Sequence, residues 1–213
     1  MLEFTSPLFQ KYAAFTAIAE GGLSRNPNDS AAKYVKPGQY HTNRGIIWPT
    51  FQKYAGTLGI APTYFNFLGL TKDQANKILY AYYKFASQGI NDPVTGLILT
   101  NIYWGSGNVL GRHTRLALRE IGVPVKITGN LDDSIRRTIN EQDPAKFNRA
   151  LMKVRRDFLT GLTVTRPANK VFLTGWLNRE DRFSKEFLEQ EKKNNSLTWI
   201  ALLLGGFFFF RKE

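Results

Sequence analysis

The chain has 213 residues, a formal net charge of +12 and no cysteine. That length is enough for one domain with a sizeable core, or for one domain and a small appendage. Disulfides and thiolate metal sites are excluded, two histidines leave little room for a metal centre, and no cofactor is implied.

In chain order, Ser6-Pro7 reads as an N-cap with proline at the first helical position. Phe9, Tyr12, Ala13 and Ala17 then recur at helical spacing, and Gly21-Gly22 stops the helix, leaving Glu20 at its end. The same stretch does not read as a secretory signal, because Glu3, Pro7, Gln10 and Lys11 interrupt any apolar run. Residues 23–44 are rich in Asn, Pro, Ser and Gly and read as a loop, with one small hairpin expected near Tyr34 to Ile47. Thr71-Lys72-Asp73-Gln74 fits a capping box, followed by Ala75, Ile78, Leu79 and Tyr82 on one helical face. Asn91-Asp92-Pro93 opens a buried helix over Val94 to Tyr103, and Gly111 to Ile121 is a further helix that stops at Gly122. Asp143-Pro144 starts a long amphipathic helix with Phe147, Leu151, Val154 and Phe158 inward and Arg149, Lys153 and Arg156 outward. A last helix is expected from Ala168 towards Glu191. The fold class is therefore mainly α.

The basic residues do not form one block. Arg136-Arg137 and Arg155-Arg156-Asp157 read as solvated helix faces. A basic surface favours an anionic partner without identifying it. Nucleic-acid binding would rest on charge alone, and no specific nucleic acid is expected.

The polar run Glu189 to Ser196 precedes an uncharged stretch, Leu197 to Phe210, that ends in four phenylalanines. As a helix it would reach roughly 21 Å at 1.5 Å per residue, short of the about 30 Å of a bilayer core. Such a stretch needs a membrane or a protein surface to cover it. The expectation is a membrane anchor, with the protein at a virion membrane or at a bacterial inner membrane facing the wall.

Glu20 is the leading candidate for chemistry. The negative end of a helix dipole disfavours a further negative charge, so a glutamate there suits an acid that must hold its proton. Gly21 and Gly22 would let a bulky sugar chain approach the backbone. Asp29 lies nine residues on and could hold or activate a water, with Thr42 hydrogen bonding to it. By itself, a glutamate before two glycines is an ordinary helix end. Trp104 and Trp176 could stack on sugar rings or fill a core. Arg179 could bind an acidic sugar or pair with Glu180. His41 and His113 have no metal-ligand spacing and read as non-catalytic.

Glu20-Gly21-Gly22-Leu23, then Asn26-Pro27-Asn28-Asp29 and Thr42-Asn43-Arg44-Gly45-Ile46, resemble the signature of glycoside hydrolase family 108, the N-acetylmuramidases of bacteria and phages. Tyr103-Trp104-Gly105-Ser106-Gly107, Ile127-Thr128-Gly129-Asn130 and Gly175-Trp176-Leu177-Asn178-Arg179 resemble its later segments. This chain departs from the pattern where Ser30-Ala31-Ala32 follows Asp29 in place of two glycines, and where Leu23 replaces an aromatic.

The resemblance implies a lysozyme-like helical fold with a small hairpin beside the catalytic Glu. It implies a catalytic region over 1–100 and a helical peptidoglycan-binding region over 101–188, before the linker (189–196) and tail (197–213). It implies Glu20, Asp29 and Thr42 as catalytic residues, and Gly21, Gly22, Arg44, Tyr103, Trp104 and Trp176 as substrate-binding residues. Peptidoglycan is the expected partner, with virion or holin-type proteins beside it. The alternatives are a lytic transglycosylase, or an inactive structural virion or envelope protein that keeps the fold.

Overall fold

The structure, a computed structural model, describes residues 1–107 and 109–189. Within these the protein is mainly helical and divides into two compact units, Met1–Gly107 and a second beginning at Asn108. The linker and tail lie outside the described residues, apart from Glu189. No helix among the described residues is long and apolar enough to cross a membrane.

In the first unit, α1 (Pro7–Glu20) starts with Pro7 after Ser6, whose side chain makes no capping hydrogen bond, and ends on Gly21, whose φ of 63° breaks the helical path. A small antiparallel sheet follows: β1 (Leu23–Ser24), β2 (Thr42–Asn43) and β3 (Ile46–Ile47), in that spatial order. The pairing of Asn43 with Ile46 closes β2 and β3 through Arg44-Gly45. Both turn residues have positive φ, 51° and 78°, as a two-residue hairpin turn matched to strand twist requires. Between β1 and β2 runs a short 3-10 helix, Ser30–Tyr34.

Two short helices, α2 (Trp48–Tyr54) and α3 (Tyr64–Leu68), come next; neither stands out in the sequence pattern. They pack as an aromatic cluster, with Phe51 and Phe67 fully buried and Trp48 beside both. α4 (Lys72–Ser87) starts with the capping box, both reciprocal bonds being made between Thr71 and Gln74. Asp92 caps α5 (Pro93–Ser106) through Thr95 N at 2.6 Å. Val94 to Ile102 are buried on every side, so α5 carries no polar face and forms the centre of this unit. It runs unbroken from Pro93 to Ser106, and the first unit ends at Gly107.

The second unit holds α6 (Leu110–Glu120), α7 (Asp133–Asn140), α8 (Pro144–Thr165) and α9 (Lys170–Phe183), which continues into a π-helical turn over Ser184–Leu188. Phe147, Leu151 and Leu159 of α8 and Phe183 of α9 are buried. Arg155 and Arg136 do not lie on the solvated faces expected of their basic runs. Arg155 is only 4% exposed, and its Nε donates to Glu180 Oε1 at 3.3 Å between α8 and α9. Arg136 is 7% exposed. Helical periodicity puts both on inward faces, and residue type alone hides this. Arg136 lies on α7 and Arg155 on α8.

Arg115 on α6 orders the loop before α7. Its guanidinium donates to the carbonyls of Gly111, Gly129 and Asn130 and pairs with Asp132 at 2.7 Å. That loop passes so close to α6 that a Cβ on Gly111 would lie 2.3 Å from Gly129 O. The motif Ile127-Thr128-Gly129-Asn130 thus packs backbone to backbone, and a side chain at Gly111 would force it apart.

Candidate functional site

Glu20 is the last residue of α1 and is half-buried. Its carboxylate is held from two directions. Trp104, near the end of α5, donates its indole Nε1–H to Glu20 Oε1 at 3.0 Å. On another side stands Gly45 of the hairpin turn. A Cβ there would lie 2.6 Å from Glu20 Cγ and 2.8 Å from both Cδ and Oε2. Only a glycine lets the turn approach the acid this closely, and its φ of 78° favours glycine as well.

The hairpin is itself pinned. Asn43, buried in β2, donates through Nδ2 to Phe67 O at 2.8 Å and Leu68 O at 3.1 Å. Arg44 N donates to Gly22 O at 3.1 Å, and Arg44 Nε to Leu70 O at 3.0 Å. These bonds compensate the left-handed backbone of Arg44, which costs a non-glycine residue about 1 kcal/mol. Gly21, Arg44, Lys72, Asn76 and Trp104 are among the residues that line a small cleft between α1 and α4, together with Ala13, Ala75 and Leu79.

The expected site residues are thus partly gathered. Glu20, Gly21, Arg44 and Trp104 come together around the acid, and the backbone of Gly22 ties β1 to the turn. Gly21 and Gly22 have open space where a Cβ would be. Asp29 caps the short helix after it, accepting from Ala31 N through Oδ1 at 2.8 Å. Thr42 lies in the central strand, opposite Ser24 on one side and Ile47 on the other. Its hydroxyl meets His41 Nδ1 at 2.8 Å.

Tyr103 is half-buried and stacks on Phe85 at 4.9 Å. Burial first, and Tyr82 second, push its hydroxyl above the usual tyrosine range. Trp104 also meets Tyr82 edge to face at 5.0 Å, so its ring serves packing while its N–H serves Glu20. Trp176 belongs to the second unit, stacked on Phe172 one turn earlier in α9. Among the described residues no group of acids and histidines is arranged to hold a metal ion.

In the sequence Gly45 is only one residue of a motif, with no local sign of a role. Arg44-Gly45 between two strands was the available signal for a tight hairpin, but its contact with Glu20 spans 25 residues of chain and needed the fold.

No protein-family model and no curated protein matches the chain. Among solved structures it is similar to Brucella abortus SagA, with a TM-score of 0.60 at 23% identity, over 85% of this chain and 94% of that one. At this identity the likeness establishes a shared, mainly helical fold.

Proposed function

We propose that the protein is a peptidoglycan hydrolase that cleaves the β-1,4 bond between N-acetylmuramic acid and N-acetylglucosamine. One observation carries this reading: the Glu20 carboxyl stands at a helix end, beside a small sheet, between the Gly45 turn and the Trp104 N–H. A lysozyme-like site needs an acid fixed at the edge of a cleft, and the motifs around Glu20 that resemble family 108 muramidases support the same assignment.

In this mechanism Glu20 gives its proton to the leaving sugar oxygen as the glycosidic bond breaks. A water attacks the anomeric carbon, and Asp29 takes one of its protons. Oδ1 of Asp29 is occupied by Ala31 N, so Oδ2 is the oxygen suited to this task. Thr42 accepts a hydrogen bond from the same water. Arg44 and Lys72, which line the small cleft beside Gly21 and Trp104, favour the acidic groups of the wall polymer.

The test is release of soluble sugar from purified cell walls. Glu20→Gln, which keeps the shape and loses the proton, is expected to lower turnover by at least about a hundredfold with an unchanged melting curve. Full activity in that variant would overturn the assignment. Mass spectrometry of the products then reads the reaction class. Hydrated reducing ends are expected; anhydro ends, lighter by one water, would make the protein a transglycosylase.

A further inference from the structure

His41 stands outside the acid's own shell, yet it is 1% exposed and both its ring nitrogens are engaged. Nε2 lies 3.1 Å from the backbone carbonyl of Asn26. Nδ1 lies 2.8 Å from Thr42 Oγ1. A carbonyl can only accept, so Nε2 carries the hydrogen. In the neutral ring Nδ1 is then an acceptor, and the Thr42 hydroxyl must donate to it. The backbone holds the ring in place, since His41 N donates to Ser24 O and Trp48 N to His41 O, both at 3.0 Å.

We infer that His41 is a positioning residue that fixes the Thr42 hydroxyl as an acceptor towards the attacking water. This rests on the muramidase reading. A threonine hydroxyl free to rotate can donate its hydrogen to one of the water's two lone pairs, which draws electron density from the oxygen and can hold it in the wrong orientation for attack. With that hydrogen committed to His41 Nδ1, only the Thr42 oxygen lone pairs face the water. Thr42 then accepts one water hydrogen, Asp29 takes the other as a proton, and the water lone pair is left for the anomeric carbon. The proton that leaves Glu20 goes to the departing sugar, so charge and atoms balance. The bond from Nε2 to Asn26 has a second effect: it braces the loop from Asn26 to Asp29, whose turn is closed by Asp29 N on Asn26 O at 3.0 Å.

Two substitutions separate these effects. His41→Asn places an amide oxygen near the Nδ1 position, keeping the acceptor for Thr42 and losing the bond to Asn26. His41→Gln reaches the Nε2 position, keeping the bond to Asn26 and leaving Thr42 without its acceptor. On solubilised glycan strands, His41→Gln is expected to lower kcat about ten- to a hundredfold, the size of loss typical of outer partners that orient a reacting group, with KM little changed. His41→Asn is expected to retain most of kcat. Adding Thr42→Val to His41→Gln should cost nothing further, because both act on one hydroxyl.

The reverse order of the two variants, or a loss shared by kcat and KM, would make His41 a structural brace and overturn the inference. Should His41→Gln fail to fold by circular dichroism, Thr42→Val alone carries the test: the same fall in kcat supports the inference, and unchanged kcat overturns it. A Glu20→Gln control tells the two readings apart. If it cleaves like the wild type, the muramidase reading and this inference both fall. If it is inactive while His41→Gln cleaves normally, only this inference falls.

Discussion

The contact between Gly45 and Glu20 joins two unrelated constraints at one residue. The hairpin turn needs a positive φ there, and the acid needs room for its carboxyl. Gly45→Ala violates both. The strained backbone is expected to cost about 1 kcal/mol of stability. The methyl group would also push the Glu20 carboxyl aside, and displacement of a reacting group by about 1 Å is worth roughly a hundredfold in rate. Urea unfolding and cell-wall turnover, measured on one preparation, should show a small stability loss and a large activity loss. Equal and small effects on both would mean the turn does not set the position of the acid.

At the scale of elements, the site depends on a hairpin too short to hold its own shape. A two-stranded hairpin is marginal in water, and here it is fastened by Asn43 and Arg44 to the carbonyls of Phe67, Leu68 and Leu70. α3 therefore serves the site although it carries none of its chemistry.

In the second unit, α6 and α8 meet around a buried histidine. His113 Nδ1 donates to Val109 O at 3.0 Å, and its ring packs edge to face on Phe158 at 4.8 Å. Nε2 is buried with no hydrogen-bond partner among the described residues. Burial first, and the Arg155 charge second, hold its pKa down at about 4. Above pH 6.5 the ring is neutral in folded and unfolded chains alike. As pH falls below 6.5 the unfolded chain takes up the proton first, so stability is lost progressively until about pH 4. The full loss is on the order of 3 kcal/mol. His113→Leu should flatten the fall in urea midpoint across this window, and parallel curves for wild type and variant would refute it.

For the whole molecule, the net charge of +12 acts at long range, where salt screens it. The Debye length falls from about 10 Å at 0.1 M to about 3 Å at 1 M. If the partner is an acidic wall polymer, co-sedimentation of the protein with purified sacculi should weaken steeply from low to high salt. Glu20→Gln should follow the same curve, since it removes one acid from the site and leaves the basic surface. Salt-independent binding would point to recognition carried by uncharged contacts.

The sequence by itself determined most of the helices and their ends. Ser6-Pro7, Thr71 with Gln74, Asp92-Pro93 and Asp143-Pro144 are local signals, and each acts within one helical turn. It also placed Glu20 at the end of α1, because the glycines after it are adjacent in the chain. The short helices α2 and α3 are too brief for periodicity to show. Tertiary structure alone decided what surrounds the acid: Trp104 arrives from 84 residues away and Gly45 from the far side of a loop. It alone decided which charges are buried, since Arg155 differs from exposed Arg149 only in the helix face it occupies. It also turned His41, which the sequence offered only as one of two isolated histidines, into the partner of Thr42. Caps and helix stops are fixed by neighbours in sequence, whereas burial and hydrogen-bond partners are fixed by where the chain returns.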